Sequence, residues 1–260
     1  MLRKSRCLEK WSRNEPVLGI TLHLVDPVVC ELASVMGFDV IWVDMEHHSH
    51  SIQTVSDMMR AARVGKSDVL VRPGKAEFMQ AARLLEAGAQ GIMYPRCNSA
   101  EEAKKIVVNT HFPPEGERGL DGAGPDAFYG SVGLEEYLQN AREETFLVIQ
   151  LEDEKGMDNA EAIAAVDGVD VLFFGPGDYS LRQGFAGQFE DPRYWSAIEH
   201  VAKVAAKMGK VWGTPAFSAE HAASLLDQGA RFITYTSDLT LIRKQFITIQ
   251  ESFEAKGFRF

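Results

Sequence analysis

Residues 36–44 read Met36-Gly37-Phe38-Asp39-Val40-Ile41-Trp42-Val43-Asp44, a glycine followed by an apolar run that ends on a carboxylate. The same design recurs as AGAQGIMYP (87–95), DGVDVLFFG (167–175) and QGARFITYT (228–236), each preceded by an amphipathic helical pattern. The glycine suits the residue after a helix, where the backbone turns left-handed. The run that follows is short and rich in β-branched and aromatic residues, as a strand buried on both faces should be.

Working outward, four more strand candidates lie between these: PVLGITL (16–22), DVLVRP (68–73), TFLVIQLE (145–152) and KVWGTP (210–215). Helical patterns separate the eight runs, at 27–37, 51–65, 75–88, 99–110, 157–168, 191–209, 218–229 and 238–256, and several open on the Ser or Asp that helix starts prefer. Eight strand–helix units in a chain of 260 residues predict an α/β fold, a single (β/α)8 TIM barrel spanning 1–260. A doubly wound open sheet is the alternative, but no GxGxxG turn follows the first strand. Residues 110–144 break the rhythm. They are rich in Gly, Pro and aromatic residues and are expected to form a loop insertion with a functional or subunit-contact role.

The net charge of -10 argues against nucleic acid or an anionic membrane as partner, since either needs a positive face. Cys7, Cys30 and Cys97 form no CxxC pair, which suits free thiols in a reducing compartment. No apolar run approaches the ~20 residues needed to span a bilayer, and the charged start lacks the apolar stretch of a secretion signal. A soluble cytoplasmic protein is the expectation.

In such a barrel the active site lies at the carboxyl ends of the strands. Those ends carry Asp44, Glu46 and His47 after strand 2, Arg72 after strand 3, Gln150 and Glu152 on strand 5, and Asp178 just past strand 6. Alternation on strand 5 sets Phe146, Val148, Gln150 and Glu152 on one face and Leu147, Ile149 and Leu151 on the other. The wholly apolar face should meet the helices, so Gln150 and Glu152 should point into the barrel mouth. Glu152 and Asp178, from consecutive strands, can then converge on one hard, oxygen-preferring cation such as Mg²⁺ or Mn²⁺. The plainer reading has Glu152 opening a polar turn and Asp178 capping a helix. Arg72, followed by Pro-Gly, is either a surface charge or a clamp for a carboxylate or enolate oxygen. The turn Gly175-Pro176-Gly177-Asp178 offers bare amides that can cradle a small carboxylate.

These residues carry a resemblance. GFDVIWVDMEH (37–47), VRP (71–73), EEAKKIVVNTHFPPEGERG (101–119), IQLE (149–152) and FFGPGDYS (173–180) stand in the order and spacing of the HpcH/HpaI family of class II, metal-dependent pyruvate aldolases, which the chain resembles from about Gly19 to its last helix. The resemblance implies a barrel of the phosphoenolpyruvate/pyruvate type that cleaves a 4-hydroxy-2-oxo acid to pyruvate and an aldehyde through a metal-stabilised enolate. It matches Glu152 and Asp178 to the ligands of a divalent ion (Mg²⁺, Mn²⁺ or Co²⁺), Arg72 to the enolate-steadying arginine, and His47 paired with Asp44 to the acid/base dyad. Gln150, and Gly177 with Asp178, fall on the pyruvate side. It further implies a homo-oligomer, commonly a hexamer, in which the C-terminal helix at 238–255 is exchanged between subunits. No lysine ends a strand, which argues against a Schiff-base mechanism.

The chain departs from the family pattern at Thr21, where many relatives are aromatic, at Arg118-Gly119-Leu120-Asp121-Gly122, and at Gly213-Thr214-Pro215-Ala216. All three changes point to the acceptor side, where Thr21, His23, Arg118, Thr214 and Pro215 are the candidates. Two other chemistries remain open at this stage. One is oxaloacetate-type decarboxylation on the same enolate site. The other is an amidohydrolase-like metal hydrolase built on the His48-Ser49-His50 motif and Asp238. A non-catalytic barrel that binds an oxo acid is a third possibility. His48 and His50 are otherwise expected to be solvated or at a subunit contact, and Glu46 to anchor its neighbours.

Overall fold

All eight runs form strands: β1 (Val17–Leu22), β2 (Val40–Asp44), β3 (Asp68–Arg72), β4 (Gly91–Tyr94), β5 (Phe146–Leu151), β6 (Val171–Phe174), β7 (Val211–Ala216) and β8 (Phe232–Ser237). They pair in parallel, each with its neighbour in sequence, and β8 closes on β1 to complete a barrel. The computed structural model describes residues 3–260. Helix α1 (Arg6–Ser12) precedes the barrel, and α2 (Pro27–Val35), α3 (Ile52–Ala62), α4 (Phe78–Ala87) and α5 (Ala100–Thr110) follow β1 to β4. Helix α6 (Leu134–Glu143) lies in the insertion, and α7 (Glu154–Asp158) and α8 (Ala160–Ala164) follow β5. After β6 come α9 (Pro176–Arg182) and α10 (Pro192–Met208), then α11 (Ala219–Asp227) after β7 and α12 (Asp238–Glu254) after β8. No helix among the described residues is long and apolar enough to cross a membrane.

Strand alternation sorts the core into two layers. Val17, Val40, Trp42, Leu70, Phe146 and Phe173 fill the barrel interior. Ile41, Val43, Val71, Ile149 and Leu172 face outward and pack beneath the helices. Burying each such side chain contributes about 1.5–3 kcal/mol, so the two layers hold the strand ends in fixed positions.

Three features were not visible in the sequence patterns. The charged start forms α1, which closes the barrel floor: the Ser5 hydroxyl and the Cys7 amide donate to Asp68 at 2.7 and 2.9 Å, and Trp11 packs on Phe146. The single helix expected over 157–168 is two, α7 and α8, broken at Asn159, whose side-chain amide donates to the Asn98 carbonyl at 2.9 Å. The insertion is more than a loop. It contains α6 and a 3-10 turn, Pro125–Gly130, which share a small core of Phe112, Ala127, Tyr137 and Ala141.

The last helix follows β8 directly. The Ser237 side chain accepts from the Thr240 amide, and Asp238 accepts from the amides of His23 and Leu24, fastening the start of α12 to the end of β1. Beyond Asp238 the helix is exposed along its length, including Leu241, Phe246, Ile249 and Phe253.

Candidate active site

Register builds the site. Asp44 and Arg72 are direct cross-strand partners at the carboxyl ends of β2 and β3. The Arg72 guanidinium therefore forks onto Asp44, with Nε to Oδ1 at 2.9 Å and Nη2 to Oδ2 at 2.7 Å. Its third nitrogen, Nη1, donates to Gln150 Oε1 at 3.1 Å, and the group lies 4.8 Å from the centre of the Trp42 ring. The pair is nearly dry, with the side chains of Arg72 and Asp44 only 8% and 4% exposed. Burial pushes the Asp44 carboxyl up, but the bonds and charge of Arg72 outweigh that and hold it below the usual carboxylate range.

This corrects one expected pairing. Both Asp44 oxygens are taken by Arg72, so Asp44 does not orient His47. The carboxylate nearest to His47 is Glu46, whose Oε2 lies 3.7 Å from Nε2, and the imidazole itself is largely exposed. The reason is geometric: residue 44 ends a strand, so its closest partner lies across the ladder and not three residues along the chain.

The parity argument for β5 holds. Phe146 and Val148 enter the interior, Leu147, Ile149 and Leu151 face the helices, and Gln150 and Glu152 are buried at the mouth. Gln150 Nε2 donates to Glu152 Oε2 at 2.7 Å, so a continuous chain of bonds runs from Asp44 through Arg72 and Gln150 to Glu152. Gly175 makes room for it: a Cβ there would sit 2.4 Å from Glu152 Oε2. Gly177 and Asp178 occupy the first turn of α9, Gly177 exposed and Asp178 half-buried.

Arg96 was missed in the sequence. It stands just past β4, as Arg72 stands at the end of β3, and that parallel was the available signal. Its amide donates to Glu152 Oε1 at 3.0 Å, and its side chain grips Glu46 Oε1 through Nε at 2.9 Å and Nη2 at 2.8 Å. Its φ of 47° is left-handed, a strained state for a side chain of this size. Glu46 Oε2, by contrast, is buried with no hydrogen-bond partner and lies 3.4 Å from Arg72 Nε.

A cavity of about 540 Å³ opens beside this network, between β1, β7, β8 and the start of α12. Thr21, His23 and Pro215 line it together with Asp44 and Arg72, whereas Glu152 and Asp178 belong to the β5–β6 side of the mouth. Two other acceptor candidates fall elsewhere. Thr214 is fully buried and spends its hydroxyl on the Phe174 carbonyl at 3.0 Å. Arg118 is buried inside the insertion, bonded to Asp126 at 2.8 Å and stacked 4.5 Å above the centre of the Phe112 ring. Both side chains are held by their own cores.

His48 stacks on His23 at 4.2 Å and on His50 at 5.6 Å between ring centres. Stacked imidazoles present faces and not lone pairs to a common point, and Asp238 is occupied by the amides of His23 and Leu24. Among the described residues no cluster of three or more His, Cys, Asp or Glu side chains could hold a metal. The hydrolase arrangement expected of the HxH motif is therefore not formed.

The oxygen donors at the mouth do suit one divalent cation completed by small ligands. Burial drives the Glu152 carboxyl up to about 8; Arg72 opposes this, while the carboxylates of Asp178 and Glu46 reinforce it. Several carboxylates crowd this buried group, and the buried Glu46 Oε2 makes no hydrogen bond, so the charge and donor set here would suit a cation.

The chain is similar to known proteins along most of its length. Residues 19–245 match the family model described as HpcH/HpaI aldolase/citrate lyase. A hydroxypyruvate/pyruvate aldolase of Delftia acidovorans is 32% identical over 232 residues, covering 89% of this chain and 86% of that protein. A 5-keto-4-deoxy-D-glucarate aldolase of Klebsiella pneumoniae is 31% identical over 91% of this chain and 92% of its own. Among solved structures, an HpcH/HpaI aldolase from Desulfitobacterium hafniense superposes with a TM-score of 0.88 at 29% identity, covering 95% of each chain.

Proposed function

We propose a reaction from one premise: the chain belongs to the HpcH/HpaI aldolase/citrate lyase family and is a carbon–carbon lyase. The reaction is retro-aldol cleavage of a 4-hydroxy-2-oxo acid to pyruvate and an aldehyde. The observation that carries it is the Arg72 guanidinium, buried at the mouth and locked by Asp44 and Gln150, with one N–H on Nη1 and one on Nη2 not used by those bonds.

Cleavage breaks the C3–C4 bond, and the electron pair left on C3 delocalises onto the C2 oxygen as an enolate. A fixed cationic donor aimed at that oxygen lowers the barrier because it needs no reorganisation as charge develops. The C4 hydroxyl must lose its proton as the C4 carbonyl forms. His47 takes it, being an exposed imidazole beside Glu46, and the proton returns to C3 to complete pyruvate. Glu152 and Asp178 would hold a divalent cation, which when bound supplies Lewis-acid stabilisation of the enolate. Gln150 orients Glu152, and the amides of Gly177 and Asp178 meet the substrate carboxylate.

The exposed apolar side chains of α12 and of α2, among them Val28, Leu32 and Val35, support a homo-oligomer, a hexamer by analogy with the family, in which α12 packs on another copy. The test of the reaction is pyruvate release from a panel of 4-hydroxy-2-oxo acids and oxaloacetate with Mg²⁺, Mn²⁺ or Co²⁺. Activity should vanish with EDTA and in Glu152→Gln. Turnover that survives both removes the metal from the proposal, and release from oxaloacetate alone replaces the aldolase with a decarboxylase.

A further inference from the structure

Arg96 makes two contacts that the mechanism leaves unused, one from its backbone and one from its side chain. The amide donates to Glu152 Oε1 at 3.0 Å, and the guanidinium closes on Glu46 Oε1 through Nε at 2.9 Å and Nη2 at 2.8 Å. One residue thus ties together carboxylates from separate segments, Glu46 just past β2 and Glu152 just past β5. The left-handed turn that allows both contacts is fixed from either side. The Lys75 ammonium donates to the Arg96 carbonyl at 2.6 Å, and the Cys97 amide donates to the Gln150 carbonyl at 3.1 Å. A costly backbone state persists where several neighbours over-determine it, and at a functional site it is part of the design.

The side-chain contact also decides the net charge of the mouth. Four carboxylates meet there, Asp44, Glu46, Glu152 and Asp178, against two guanidinium groups, Arg72 and Arg96, which leaves two negative charges. Lys75 does not alter the sum, because it is paired with Glu102 at 3.3 Å. One divalent cation balances that remainder. Without Arg96 the remainder would be three, centred on Glu46, whose side chain is only 5% exposed and whose Oε2 makes no hydrogen bond. The Arg96 side chain is 35% exposed, so it meets Glu46 from the solvent edge and can be replaced without opening the core.

We propose that Arg96 is a positioning residue that sets the charge of the cation site: by neutralising Glu46 it weakens the hold on the cation, keeps a divalent ion exchangeable and disfavours a trivalent one. The inference rests on the reading of Glu152 and Asp178 as metal ligands. Arg96 acts through Glu46 and touches neither substrate nor the reacting atoms.

The test is calorimetric titration of the metal-free full chain with Mn²⁺ and with Tb³⁺, without substrate. Arg96→Asn removes the guanidinium but tolerates the left-handed backbone, so the amide of residue 96 still meets Glu152. The variant should bind Mn²⁺ about tenfold and Tb³⁺ about thirtyfold more tightly than wild type, because the repulsion removed scales with the charge of the ion. Arg96→Lys keeps the charge and should return both constants to near wild type. Glu46→Gln reduces the remainder to one and should weaken Mn²⁺ binding about tenfold, and combining it with Arg96→Asn restores the remainder to two and wild-type affinities. A residue that merely braced the site would give weaker binding of both ions in Arg96→Asn and no recovery in the double variant. That result, unchanged Mn²⁺ binding, or equal gains for the two ions overturns the proposal. Wild-type protein that takes up neither ion instead refutes the metal reading beneath it, and the proposal falls with it.

Discussion

Replacing Arg72 should separate its structural work from its chemical work. The guanidinium makes two bonds to Asp44 and one to Gln150, and lies within 3.4 Å of Glu46, in a setting where its side chain is 8% exposed. Arg72→Met leaves Asp44 buried without its counter-charge, which should cost about 3–5 kcal/mol of stability at neutral pH. The sign of the pH dependence follows. In the wild type Arg72 holds the Asp44 carboxyl below its usual value, so the pair contributes stability above the unfolded carboxylate value and loses it as pH falls through the folded one. Without Arg72 the burial that pushes Asp44 up is unopposed. The folded value then exceeds the unfolded one, and the loss should grow as pH rises and shrink toward pH ~4. Arg72→Met combined with Asp44→Asn removes both charges and should recover much of the stability but none of the activity.

The assay is denaturant unfolding of wild type, both single variants and the double variant across that pH range, paired with pyruvate release. Arg72→Lys completes the set. It keeps the charge but cannot fork onto Asp44 while reaching Gln150, so it should stay folded and lose on the order of 10²–10³ in kcat. A stability deficit in Arg72→Met that is flat in pH, or a double variant no more stable than the single, would refute the buried-pair account. An Arg72→Lys enzyme near wild-type kcat would refute the role at the enolate oxygen.

Three further outcomes are expected. Gly175→Ala is compatible with the backbone φ of -99° but sets a methyl group 2.4 Å from Glu152 Oε2, so the protein should fold while activity falls about a hundredfold from misplacement of the carboxylate; unaltered turnover would mean that Glu152 is not held where the reaction needs it. Burial and the neighbouring His48 hold His23 below the usual imidazole value, and burial does the same to His50. The unfolded chain therefore takes up protons first, and stability present above the ordinary imidazole value is lost as pH falls through the folded values. His23→Asn with His50→Asn should flatten the decline in Tm between about pH 7 and pH 5, and curves parallel to the wild type would exclude the stack as its source. Arg118→Met strips Asp126 of a buried partner and should cost about 3 kcal/mol in unfolding while leaving acceptor preference as it was; a changed preference would return Arg118 to the pocket.

What the sequence could and could not disclose divides along one physical line. Features written in a local period were legible: eight glycine-punctuated strands, the two faces of β5, and the placement of Gln150 and Glu152 at the mouth. Features set by register were not. Asp44 looked like the partner of His47 because the two are near in sequence, yet the ladder places Asp44 against Arg72. Arg96 left no periodic trace, since its role depends on a left-handed turn that aims its amide at Glu152. Arg118 opens a stretch that departs from the family pattern and so read as acceptor-side, but its partners Asp126 and Tyr137 form a separate small core that only the folded insertion reveals. The octet DMEHHSHS shows the division within eight residues. Asp44 ends the strand and joins the ladder, Glu46 turns to Arg96, His47 faces solvent, and His48 and His50 join a stack with His23 from β1. Once the strand ends, no repeat fixes the direction of a side chain, so adjacent residues of similar chemistry can serve four unrelated neighbours. For this reason the proton-handling residue is better assigned from which group remains uncommitted after the buried bonds are made. On that criterion His47 is the proposed proton carrier, and Asp44 is not.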